Sequence, residues 1–145
     1  MCLERDLTKN PLKLADTDIV CYKVVDIPGE KRFKFKTWLL RKLKRFKDYE
    51  THNWLYPITI GEIFIAYPVF SKEHLHIIDR NTKCIEGGFI HSFKNKDDAI
   101  KLAKTGIYID VVKCIIPVGT YYFEGKNSGF TDGYASTQIK YVKVI

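Results

Sequence analysis

The chain has 145 residues, 46% of them hydrophobic and 14% aromatic, with a formal net charge of +7. That much apolar surface excludes disorder, and one domain is the default at this length. No apolar run approaches the roughly 20 residues a bilayer span requires. The charges in Met1-Cys2-Leu3-Glu4-Arg5-Asp6 lie where a signal peptide would need an apolar core. A single soluble domain over 1–145 is expected, with no membrane contact.

Residues 1–16 read as an irregular arm. Asp18 to Ile27 is apolar and β-branched and stops at Pro28-Gly29, which predicts a central strand. Residues 30–47 then hold the charge imbalance. Nine Lys/Arg and one acid make this segment +8, leaving −1 for the rest of the chain. Lys31 to Lys36 alternates, with Phe33 and Phe35 against Arg32, Lys34 and Lys36, as in a half-buried edge strand. From Thr37 a short helix is predicted: Leu39, Leu43 and Phe46 fall at i, i+4 and i+7. Its other side gathers Trp38, Arg41, Lys42 and Arg45.

Beyond Tyr56 the pattern is mostly β. Pro57 to Pro68 suggests a strand or hairpin around Gly61, Glu73 to Asp79 a strand, and Gly87-Gly88 a turn. Asn95 with Asp98 resembles a capping box, opening a second short helix through Ala103 that Gly106 stops. Ile107 to Ile116 is the most continuous apolar run and ends at Pro117-Val118-Gly119. Tyr121 to Glu124 and Ser136 to Val144 read as strands around a loop bearing glycines 125, 129 and 133. The expected fold is α+β: a β-rich, mostly antiparallel sheet or partly closed barrel with two short helices.

The scattered Cys2, Cys21, Cys84 and Cys114 carry no Cys-x-x-Cys spacing. Cys21 and Cys114, inside apolar runs, read as small buried hydrophobes of a reducing compartment. His74 and His76 lie two apart and would hold a metal only with a third ligand such as Cys84 or His91; two surface histidines is the simpler reading. Gly125-Lys126-Asn127-Ser128-Gly129 places glycine before lysine between strands, unlike a P-loop. His91-Ser92 beside Asp97-Asp98 has nucleophile and base ingredients, but the aspartates suit the positive end of a helix dipole. No cofactor and no metal are expected.

The basic segment supports three readings: an acidic protein partner, nucleic-acid phosphates with Trp38 stacked on a base, or a solvated face. Its contact residues would be Arg32, Lys34, Lys36, Trp38, Arg41, Lys42 and Arg45.

Five stretches carry a resemblance: Met1-Cys2-Leu3, Asp18-Ile19-Val20-Cys21-Tyr22-Lys23-Val24, Gly88-Phe89-Ile90-His91-Ser92-Phe93, residues 111–122 from Val111-Val112-Lys113-Cys114 to Gly119-Thr120-Tyr121-Tyr122, and Tyr134-Ala135-Ser136. Together they resemble an uncharacterised small-protein family of bacteriophages and bacteria of the gut Bacteroidetes type, over most of the chain outside residues 30–55. The resemblance implies a phage or mobile-element setting, in the virion or host cytoplasm, and no assigned activity. A fainter likeness is to the second half of mono-ADP-ribosyltransferase domains. There His91-Ser92-Phe93 takes the place of the Ser-Thr-Ser strand, but residues 134–140 lack the catalytic glutamate. The leading expectation is a non-enzymatic virion or macromolecule-docking protein with residues 30–47 as its contact element. The alternatives are a degenerate transferase-like enzyme or small-ligand binder near His91, Ser92 and the 125–133 loop, and a nucleic-acid-binding protein.

Overall fold

A computed structural model describes residues 3–4, 11–26, 49–51, 57–66, 84–85, 89–105, 109–127 and 131–145. The strands are β1 (Leu3–Glu4), β2 (Lys13–Leu14), β3 (Ile19–Asp26), β4 (Tyr49–Thr51), β5 (Pro57–Ile58), β6 (Ile63–Ile65), β7 (Cys84–Ile85), β8 (Ile90–Phe93), β9 (Ile109–Ile116), β10 (Tyr121–Asn127), β11 (Asp132–Ser136) and β12 (Gln138–Val144). One helix, α1 (Lys96–Ala103), lies among the described residues. The predicted strand and helix over 31–47, the strand over 73–79 and the turn at 87–88 lie outside the described residues.

Every strand pair is antiparallel, and the hydrogen-bonded order is β6-β12-β9-β3-β8-β11-β10-β1-β7, with β2 on β10 and β4 between β3 and β5. The path is open among the described residues, so the expectation of a partly closed barrel gives way to an open sheet. It is nevertheless strongly coiled. Thr137 alone joins β11 to β12, although β8, β3 and β9 stand between them in the sheet. The sheet must bend until those two strands meet end to end.

Side chains alternate along each strand, so the coil has an inner and an outer face. The inner face carries the main core, including Cys21, Val25, Ile90, Val112, Cys114, Ile116, Tyr134, Ile139 and Tyr141. On the outer face, α1 covers Val24, Phe93 and Val111 through Ala99, Ile100 and Leu102. A second outer cluster joins Phe89, Phe123 and Ala135 to Leu12 and Tyr121. Phe89 and Phe123 meet edge-on with ring centroids 5.5 Å apart. Beyond α1 the outer face stays apolar and exposed at Val20, Ile63 and Ile65.

Several expectations are corrected locally. The arm is not wholly irregular, because β1 and β2 both pair with β10. The 57–68 segment turns at Gly61, which has φ of 97°, but forms no hairpin: β5 pairs with β4, and β6 pairs with β12. Asn95 occupies the N-cap without a side-chain cap bond; its Nδ2 instead donates to Asp98 Oδ2 at 3.3 Å. Gly125 and Gly133 are paired residues of β10 and β11, not loop. The expected 136–144 strand is interrupted at Thr137 and preceded by β11. By contrast, β3 is central and β9 runs as the apolar stretch predicts. The turn after β9 has Gly119 at φ 78°, with Thr120 N–H donating to the Pro117 carbonyl at 3.2 Å. Positive φ at the third position is what a type II turn requires of glycine.

Candidate functional site

Two features survive as candidates: the attachment of the basic segment and a polar row on the inner face. The basic residues Arg32, Lys34, Lys36, Trp38, Arg41, Lys42 and Arg45 lie outside the described residues. Their attachment points do not. Val25 pairs with Thr51 and Asp26 with Glu50, so residues 27–48 leave and rejoin the sheet on adjacent strands, at one end of β3. Among the described residues, Glu124, Asp132 and Asp98 are engaged by body lysines: Lys13 and Lys94 with Glu124 at 3.0 and 2.6 Å, Lys126 with Asp132 at 2.7 Å, and Lys101 with Asp98 at 3.7 Å.

The inner row is assembled by register. Lys23 lies opposite Val112, Ser92 opposite Tyr134, and Tyr134 opposite Glu124. The Tyr22–Phe93 pair, one rung away, sets Lys23 across from Ser92. A parallel row runs Tyr141–Cys114–Cys21. Both cysteines are free thiols with no exposed surface, as the apolar context predicts.

Burial dominates the electrostatics here. It pushes the Cys21 thiol up to about 11, partly offset by the Ser92 hydroxyl and Lys23. Burial and the neighbouring Cys21 raise Cys114 well above its ordinary value. The same desolvation lowers Lys23, because a charged ammonium is costly away from water. Its Nζ donates to the His91 carbonyl at 2.9 Å. Burial also raises Tyr134, and it raises Tyr141, which has the two thiols as electrostatic neighbours. The Ser92 and Tyr141 hydroxyls have no nitrogen or oxygen partner among the described residues. At the row's outer end Glu124 is lowered, chiefly by the Lys94 bond and further by Lys13.

His91 and Ser92 do not work as a pair. They are successive residues of β8, so they face opposite ways; His91 lies opposite Ala135 on the Phe123 side. Asp97 and Asp98 lie in the first turn of α1. His74 and His76 lie outside the described residues. Strand β7, which carries Cys84, is separated from β8 by β1, β10 and β11 in the sheet order. Among the described residues no three His, Cys, Asp or Glu side chains group as a metal site. The glycine loop is the β10–β11 connection, clamped at its base by Lys126–Asp132. Gly133 pairs with Phe93, so the base of that loop does adjoin β8. Sequence reading passed over Lys23 and Glu124, since each is an isolated charge in a strand; Lys23 within an apolar run was the available signal. No helix among the described residues is long and apolar enough to cross a membrane.

No family model, no curated protein and no solved structure matches this chain.

Proposed function

We propose that this protein is a non-enzymatic docking component, and that its setting is the phage or mobile element that the family resemblance implies. It presents residues 30–47 to an acidic protein surface. One observation carries the reading: a segment of +8 in a chain of +7 has both its flanks secured on the paired strands β3 and β4. Outside that segment the sequence sums to −1, and Glu124, Asp132 and Asp98 are engaged by lysines of the body, so the body adds little competing field. Recognition by such a segment is steered by charge and weakens as salt screens it.

The test reverses Arg41, Lys42 and Arg45 to Glu and compares retention on immobilised polyglutamate. Exposed ion pairs contribute about 0.2–1 kcal/mol each, so losing three should weaken binding roughly 3- to 150-fold. A loss under about twofold rejects the contact assignment. Duplex DNA serves as the second probe. A steep fall in affinity on a log–log salt plot, with tighter binding than to polyglutamate, would favour nucleic acid over protein.

A further inference from the structure

We propose that Cys21 and Cys114 form a two-coordinate site for a monovalent thiophilic cation of the copper(I) class inside the coiled sheet. The two cysteines are direct partners across β3 and β9, and directly opposed antiparallel residues have Cα atoms about 4.5–5.5 Å apart. Their sulfurs are electrostatic neighbours. Both face the inner core, where soft thiolate ligands select copper(I) over hard cations.

A pair of thiols suits this ion. Zinc takes four ligands in structural sites, and no third His, Cys, Asp or Glu joins the pair among the described residues. His91 belongs to the other side of β8. Two thiols binding one monovalent ion release two protons and leave a bis-thiolate complex of charge −1. No electron is transferred. Lys23, two residues from Cys21 on the same face, supplies the compensating ammonium; among the described residues it has a carbonyl partner and no carboxylate. Ser92 Oγ adjoins the Cys21 thiol, and Tyr141 lies opposite Cys114. Both hydroxyls lack a nitrogen or oxygen partner among the described residues. Neither bonds a sulfur among the described residues; each is a donor on a residue beside the pair, available to a thiolate for the outer-shell role that tunes metal ligands.

The test presents copper(I) as its bicinchoninate complex to the reduced full chain, without oxygen, until exchange stops. One copper should be withdrawn per chain with two protons released, and X-ray absorption should show two sulfur neighbours. Cys2→Ser/Cys84→Ser should bind as the unaltered chain does. Lys23→Met and Tyr141→Phe should each weaken binding roughly 10–100-fold, and Cys21→Ser or Cys114→Ser at least about 100-fold. Should the core cysteine variants fail to fold, the unaltered chain and Cys2→Ser/Cys84→Ser decide by stoichiometry and X-ray absorption. Any of four results overturns the site: no copper withdrawn, a third nitrogen or sulfur neighbour, tight binding that survives loss of both core cysteines, or oxidised glutathione producing a Cys21–Cys114 disulfide in a chain that takes no copper.

Discussion

The two halves of the inner face solve the same packing problem with different chemistry. On β12, β9 and β3 the inward residues around Lys23, namely Ile139, Tyr141, Val112, Cys114, Ile116, Cys21 and Val25, exclude water almost completely. On β8, β11 and β10 the same face passes through Ser92 and Tyr134 to Glu124, held by Lys94 and Lys13. Shape and burial dominate the first half, ion pairing the second. The comparison teaches that stability should concentrate where the polar groups are fewest, while pH sensitivity should concentrate at the other end of the row.

The largest effect should come from the apolar half. Tyr141→Ala empties a fully buried site and should cost about 3–5 kcal/mol in denaturant unfolding, as for other buried aromatics. Tyr141→Phe removes only a hydroxyl without a nitrogen or oxygen partner and should be near neutral. A heavy loss from Tyr141→Phe would show that the hydroxyl has a strong acceptor. The junction between halves ranks next. Gly119→Ala meets nothing within 4 Å at its new Cβ, so its cost, about 1–2 kcal/mol, should be that of positive φ alone.

The polar half should respond weakly and with pH. The lowered Glu124 carboxyl contributes stability above the ordinary carboxyl value of 4.5, and loses it as pH falls through the folded value. Glu124→Gln should therefore cost no more than about 1 kcal/mol at pH 7, with the gap from the native chain closing in acid. A gap that widens in acid would reverse the assignment. The smallest effect belongs to the uncovered outer face: Ile65 is 52% exposed, and Ile65→Thr should stay within about 0.5 kcal/mol.

What the residues revealed in advance follows the range of the forces involved. β3, β9 and α1 were legible because burial writes continuous or 3.6-period apolar patterns into a local window. β1 and β2 were not, since two-residue strands such as Leu3–Glu4 contain no period. The β5 and β6 partners were missed because Gly61 marks a turn without saying which strands it joins. The inner row was invisible for a related reason: Lys23, Ser92 and Glu124 are brought together by strand register, which no local window contains. The concentration of cations at 30–47 was plain from counting charges, as were the buried environments of Cys21 and Cys114.

The single-residue link at Thr137 has a kinetic consequence. With β12 on β9, the strands between β9 and β11 must already be curved for the one-residue link to reach, so docking of β12 is coupled to pairings as distant in sequence as Ile19 with Ile116. Such topology, with few local pairings, belongs to the slow end of the two-state folding range. Chains ending near residue 137 would leave β9 with an open edge and the thiol pair under-covered, which makes the C-terminal eight residues the latch on the whole assembly.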